Sequence, residues 1–352
     1  MNQMISDATR LVCTDTGRIG IEDPVAFLSR VAAYCETYDL PFEGTRSERL
    51  TITTEIGAID MRASRDGLSV DLAAPNDGAL HMLRETVATQ LDLLDPARVS
   101  MLGWHGDIAH GRFPPNFRLA TVLSVTALGR SFWRLEVDGD DLTPFAHGGL
   151  HLRLALPTRG ASAAWPILNQ RGRTEWPSPD DLHVAVYTVR SIDPVTSRTV
   201  IDIFRHAGGR TCDWISAARS GEEIGMIGPG GGWYPDADHL VIAGDETALP
   251  AIARILDHAA PDTTGTAIVE VNGAFDYPPL TVPPGMTLRI LDRSQGSDLE
   301  TALAEADLGA DGARHVWFAA EKSRAAAVRH DLRARRGVAR SESYVTGYWQ
   351  KG

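Results

Sequence analysis

The sequence predicts a multidomain chain: a small α+β unit first, an antiparallel β-sheet or barrel in the middle, and an α/β domain with a parallel sheet at the end. Three observations carry this reading. Near the start, alternating strand-like runs lie between two amphipathic helical stretches; after about residue 116, short strands follow one another with turn signals between them; beyond Trp233, apolar strands alternate with helices. Closely spaced strands imply antiparallel neighbours, whereas strand–helix alternation implies parallel strands joined by crossovers.

In chain order, the first unit runs from Arg10 to about Leu94. Pro24 to Tyr38 sets Phe27, Val31, Ala32 and Cys35 at helical spacing, with Asp23 as N-cap. LTITTEIGAIDMRAS and LSVDLAA alternate apolar and polar residues around Gly57 and Asp66-Gly67, as a strand meander does. Leu80, Leu83, Val87 and Leu91 line one face of a second helix, from about Asn76 to Leu94, and Asp95-Pro96 lies beyond its end. Trp104 to Phe117, rich in glycine and proline, reads as a linker. The middle strands are RLATVLSVTAL, SFWRLEVDG, LHLRLALP, DLHVAVYTVRSID and RTVIDIFRH. HLVIAGD, TAIVEVN, TLRILDR and RHVWFAAE follow as strands, with helices in TALPAIARILDHAA, through Leu299 to Ala306, and in SRAAAVRHDLRARR. The expected domains are 1–105, 116–233 and 236–352.

Charge excludes one class of function. With 46 Asp and Glu against 34 Lys and Arg, the net charge of −12 over 352 residues is too acidic for holding nucleic acid. A content of 43% hydrophobic and 23% charged residues is an ordinary globular balance, so the chain is expected to fold and stay soluble. No apolar run reaches the ~18 to 20 residues that cross a bilayer, and MNQMISDATR lacks signal-peptide features, so the expectation is a cytoplasmic protein without membrane insertion. Cys13, Cys35 and Cys212 are too far apart for a CxxC site and odd in number for a disulfide framework.

Four blocks carry a resemblance: VYTVRSID at 186 to 193, DIFRHAGGRTCDW at 202 to 214, AGDETALPAIARIL at 243 to 256, and VWFAAE with the terminal GYWQKG. From about Phe117 onward the chain resembles the siderophore-interacting proteins, a branch of the ferredoxin reductase-like flavoproteins. The resemblance implies an antiparallel β-barrel that binds FAD, then a Rossmann-like α/β domain that binds NADPH or NADH. It also implies a ferric-siderophore reductase that passes electrons from the pyridine nucleotide through FAD to Fe(III), releasing Fe(II). Residues 1–105 resemble, more weakly, a small uncharacterised domain that accompanies this family.

The blocks also read as physical chemistry. In VYTVR, Tyr187 and Val189 face one way and Thr188 and Arg190 the other; a ring can stack on a flat isoalloxazine and a hydroxyl can hydrogen-bond its reactive edge. Tyr187 and Thr188 match the family's flavin-contacting pair, Thr188 is the expected catalytic residue, and Val189 and Arg190 are expected to line the cofactor site as well, Arg190 near its phosphate. Ala185 stands where the family has an Arg for the flavin diphosphate, and Arg210 is the expected substitute. His206, Gly208, Gly209, Arg210, Thr211 and Cys212 form a turn opening a helix, whose free N–H groups suit an anion. Gly244, Asp245, Glu246, Thr247, Ala248 and Leu249 form a strand–turn–helix that can lay a dinucleotide's diphosphate at a sheet edge, although Asp245 and Glu246 also suit plain helix capping. The resemblance places Glu321, Tyr348 and Trp349 at the nicotinamide pocket and Arg153 near the flavin, on the substrate side. Arg324, Arg329, Arg333, Arg335, Arg336 and Arg340 are either a solvated face or a steering patch for an anion.

Other chemistries have little support. His147 and His151 are i, i+4 but separated by two glycines, Trp104-His105-Gly106-Asp107 with His110 lies in the linker, and GxSxG, HExxH and Walker A patterns are absent. Two other readings stay open: a non-catalytic ferric-siderophore or haem carrier with a degenerate flavin site, and a flavoprotein that takes electrons from ferredoxin. Residues 1–105 are expected to be a partner- or substrate-docking module.

Overall fold

The computed structural model describes residues 13–37, 40–54, 56–94, 102–106, 109–160 and 163–351. The described residues form two compact units. Leu119–Arg159 with His183–Gly352 makes one; the residues before Leu119, with Gly160–Leu182, make the other.

The N-terminal unit contains β1 (Cys13–Ile19), α1 (Pro24–Thr37), β2 (Phe42–Thr45), β3 (Arg49–Thr54), β4 (Gly57–Ser64), β5 (Gly67–Ala74), α2 (Asp77–Leu94) and β6 (Gly103–Trp104). These strands form an antiparallel sheet in the order β2-β3-β4-β5-β1-β6. Phe27, Leu28 and Val31 of α1 and Leu80, Leu83, Val87 and Leu91 of α2 are buried in one core with Val70 and Leu72 of the sheet. Asp23 and Asn76 cap the helices, accepting from the N–H of Ala26 (2.8 Å) and Ala79 (2.9 Å). Trp104, expected at the start of a linker, is instead strand: it pairs with Gly17, and the Gly106 N–H donates to Asp15 (2.8 Å), so the open edge of β1 orders it. The hairpin of β10 (Ile167–Leu168) and β11 (Thr174–Glu175) belongs to this unit, held to α2 by Arg173–Asp92 (2.9 Å), the Thr174 N–H to Glu85 (3.1 Å) and His81–Thr174 (3.0 Å).

The other unit begins with β7 (Phe117–Leu128), β8 (Phe132–Asp138) and β9 (His151–Pro157), then β12 (Leu182–Thr188), β13 (Ser191–Ile192), β14 (Thr199–Phe204), α3 (Arg210–Ser216) and β15 (Glu223–Gly230). Their seven-stranded sheet runs β12-β9-β15-β7-β8-β14-β13 around a core of Leu135, Leu152, Leu154, Ile201, Ile203 and Met226. The chain continues through β16 (His239–Gly244), α4 (Leu249–His258), β17 (Thr264–Val271), β18 (Gly285–Asp292), α5 (Leu299–Ala304), β19 (Arg314–Glu321), α6 (Lys322–Ala334) and β20 (Ser343–Trp349). Those strands are all parallel, in the order β18-β17-β16-β19-β20. From β16 the chain moves outward through β17 and β18, then returns to β19 on the other side. Strand order therefore reverses between β16 and β19, and the carboxyl ends there flank the crevice in which open α/β sheets bind ligands.

Candidate functional site

Gly244 and Glu321 end the two strands that flank this reversal. A Cβ on Gly244 would lie 2.6 Å from Ala248 Cβ and 2.8 Å from the Ala319 carbonyl oxygen, so glycine lets the following turn approach the sheet. Asp245 caps the 3₁₀ turn Glu246–Ala248, accepting from the Thr247 N–H (3.0 Å) and hydroxyl (2.5 Å), and its second oxygen accepts from the Trp349 indole (2.8 Å). Burial raises its pKa, although those donors oppose the shift. Glu246 accepts from the Asn272 N–H (2.7 Å) and Arg293 (2.7 Å). Arg293 also meets Glu270 (2.8 Å), which in turn takes Arg324 (2.8 Å). The acidic groups of the 244–249 turn are thus already partnered, and capping does occur there.

At the end of β12 a second set assembles. Thr188 Oγ1 lies 3.3 Å from His151 Nδ1, and Tyr348 OH lies 2.8 Å from His151 Nε2. Below them, buried Arg254 of α4 donates to the Tyr234 hydroxyl (2.9 Å) and to the carbonyls of Val189 (2.9 Å) and Leu150 (3.1 Å). Burial, with Arg254 nearby, pushes the His151 pKa down to about 4. Exposed Arg153 shares the β9 face of His151 by strand alternation.

The third set occupies the other face of β12, where alternation aligns His183, Ala185 and Tyr187. Tyr187 is half-buried against Thr211 and Cys212, and burial pushes its pKa up to about 12. His183 Nε2 meets Thr211 Oγ1 (2.9 Å), and burial and nearby Arg210 push its pKa down. Gly208 adopts φ +74°, a left-handed conformation that glycine tolerates, and a Cβ on Gly209 would lie 2.3 Å from the His206 ring. Cys212 is buried with its thiol on the Phe204 carbonyl oxygen (3.5 Å).

The structure therefore joins Tyr187 to the 208–212 turn, Thr188 to Tyr348, and Trp349 to Asp245. Three of the expected site residues are engaged within the protein itself. Val189 is fully buried in the barrel core, with its N–H on Leu150 and its carbonyl on Arg254. Arg190 forms an ion pair with Asp257 (2.7 Å) in the last turn of α4, because a half-buried guanidinium settles on the nearest carboxylate. Glu321 caps α6 with one oxygen, accepting from the N–H of Ser323 (2.6 Å) and Arg324 (3.3 Å), since a helix start leaves such donors unpaired, and its other oxygen accepts from the Lys351 N–H (3.4 Å). The steering patch fares similarly: Arg329, Arg333 and Arg336 donate to backbone carbonyls, and Arg324 joins Glu270 and Glu300. Sequence reading missed His151, His183 and Arg254. His183 alone had a local signal, lying two and four residues before Ala185 and Tyr187 on a strand.

Residues 121–233 match the family model described as the siderophore-interacting FAD-binding domain, and residues 237–352 match that of the siderophore-interacting protein. Over 188 residues the chain is 36% identical to an uncharacterised protein of Mycobacterium tuberculosis; the match covers 48% of this chain and 65% of the relative, less than two thirds of its length. Ferric vibriobactin reductase ViuB of Vibrio cholerae is 27% identical over 247 residues, covering 67% of this chain and 90% of ViuB. The crystal structure of a siderophore utilization protein from T. fusca superposes with a TM-score of 0.59 at 28% identity, covering 69% of this chain and 96% of that one.

Proposed function

The chain belongs to the siderophore-interacting protein family, and we propose that it is an FAD-dependent ferric-siderophore reductase using NADPH or NADH. The observation that carries this reading is the crevice at the strand-order reversal, where Gly244 to Leu249 and the terminal Tyr348-Trp349 meet the barrel through Thr188 and His151. We place the work in the cytoplasm, where reduced pyridine nucleotide is available.

The residues present suit a flavin dinucleotide. Tyr187 offers a half-buried ring, and the small Ala185 leaves room between it and His183. Gly208 and Gly209 lead into α3, where Arg210 supplies a cation for a diphosphate. Thr188 offers a hydroxyl to the ring's reactive edge, with Tyr348 and Trp349 closing the nicotinamide side. Exposed Arg153 is the docking cation for a ferric chelate. When bound, FAD supplies conversion of a two-electron hydride into single-electron deliveries to Fe(III), whose oxygen-ligand complex weakens on reduction. A ferredoxin donor is the lesser reading, since the 244 to 249 turn is built for a dinucleotide.

Visible absorption of the purified protein tests the proposal. Bands near roughly 375 and 450 nm, bleached anaerobically by NADPH or NADH and restored by a ferric hydroxamate or catecholate, are the expected result. A protein that takes up no added FAD overturns it in favour of a carrier.

A further inference from the structure

The reading above gives His151 a place but no chemical role, yet it is the only side chain hydrogen-bonded to both Thr188 and Tyr348 among the described residues. It is 8% exposed and Thr188 is 5% exposed, so water cannot readily replace either hydrogen bond. The imidazole and the Tyr348 ring meet edge-on at 5.2 Å. Thr188 belongs to β12, His151 to β9 and Tyr348 to β20, so one imidazole ties the barrel to the terminal strand.

The protons can be placed. The Arg254 guanidinium from α4 and burial keep the ring neutral, and a neutral imidazole has one N–H and one acceptor. If Nε2 carried the proton, Nδ1 would be the acceptor and Thr188 would turn its own proton inward. If Nδ1 carries it, Tyr348 donates to Nε2, Thr188 accepts from Nδ1 in company with the nearby Leu150 backbone, and the Thr188 O–H is left to donate, either to the neighbouring Tyr348 oxygen or, when the cofactor is bound, to its edge. A phenol is the stronger donor of the two groups at Nε2, and the 2.8 Å separation suits O–H to nitrogen.

We propose that His151 is a positioning residue, held by Tyr348 as the neutral Nδ1–H tautomer so that the Thr188 hydroxyl is a donor toward the cofactor edge. This rests on the flavin reading of Thr188 given above. It adds a direction: the C-terminal strand sets the hydrogen-bond polarity of a residue on the barrel.

Nitrogen-15 NMR of the histidine-labelled apoprotein tests it without cofactor, with the His151 signals assigned by their loss in His151→Gln. A neutral Nδ1–H tautomer persisting from pH 8 to pH 5, and lost in Tyr348→Phe, supports the proposal; an Nε2–H tautomer, or titration near the ordinary histidine value, overturns it. With FAD added, His151→Asn, which keeps a donor toward Thr188, should retain the flavin spectrum and hydride-transfer rate better than His151→Phe, which should lose about tenfold in rate. Equal behaviour of the two variants would assign His151 to packing alone and overturn the proposal. If the wild type binds no FAD, the flavin reading fails, and the apoprotein tautomer still decides whether this hydrogen-bond chain exists.

Discussion

The Trp349 indole N–H donates to the buried carboxylate of Asp245 at 2.8 Å, joining the last residue of β20 to the first residue after β16. Asp245 is 1% exposed and Trp349 is 42% exposed, so a surface ring covers a charge that water does not reach. Parallel β20 lies beyond β19 from β16, and this bond is how the terminal segment reaches across the crevice.

Removing that donor should have a pH signature. Trp349 is one of the groups that oppose the upward pull of burial on the Asp245 pKa. Trp349→Phe therefore raises that pKa further, and the folded state then holds its proton more strongly than the unfolded one. Stability of the variant relative to wild type falls as pH rises through the carboxylate range. Urea unfolding of the apoprotein should show a deficit of about 1 to 2 kcal/mol at pH 7 that shrinks toward acid pH. A deficit independent of pH would point to lost packing.

Arg254 is the buried cation that α4 inserts toward the barrel, and its planar fork serves four separate acceptors, the Tyr234 hydroxyl and the carbonyls of Leu150, Val189 and Phe145. Arg254→Met strips the Val189 and Phe145 carbonyls of their Arg254 donor, while the Leu150 carbonyl keeps the Val189 N–H (2.9 Å), so the expected loss is about 3 kcal/mol. Lysine carries its three N–H donors on one nitrogen, cannot span these separate acceptors, and should recover less than half of the loss. Full recovery in Arg254→Lys, read by urea unfolding, would show that the fork geometry is unnecessary.

Much of the fold was legible because local signals agreed with the tertiary result. Asp23 caps its helix as its side chain predicted, the second helix begins where expected with Asn76 as its cap, and strand–helix alternation after Trp233 became a parallel sheet. Strand β1, CTDTGRI, carries too many turn-forming and polar residues to announce itself, and is ordered by pairing with the distant β5, as Thr16 with Asp71, 55 positions later. The site was legible by block, and its partnerships were not. Nothing near His151 foretells Tyr348, 197 residues later, and nothing near Arg190 foretells Asp257. Sequence does not show that a carboxylate at the strand–helix boundary, Glu321, shares its two oxygens between the start of α6 and the Lys351 N–H.

The missing arginine at position 185 gives a paired prediction. Arg210 and His183 stand together beside Thr211, on the face that Ala185 shares. Arg210→Ala should weaken FAD binding about tenfold, the effect of one charge-assisted hydrogen bond, and Ala185→Arg should strengthen it by a comparable factor. Fluorescence titration of apoprotein with FAD measures both. If neither variant moves the dissociation constant, the diphosphate is not held at this turn.

Acid should destabilise both units through their buried histidines. Burial holds His81, His151 and His315 down to about 4, from an ordinary value of 6.5. Between those values the unfolded chain binds protons that the folded chain refuses, so stability is full above pH 6.5 and is lost as pH falls toward 4. The slope approaches roughly 1.4 kcal/mol per pH unit for each histidine. His81 belongs to the N-terminal unit, while His151 and His315 belong to the other. Thermal unfolding followed from pH 7 to pH 5 should therefore show both units weakening, the second more steeply. His81→Gln should flatten only the N-terminal response, and an unchanged slope in that variant would mean that His81 is protonated while folded.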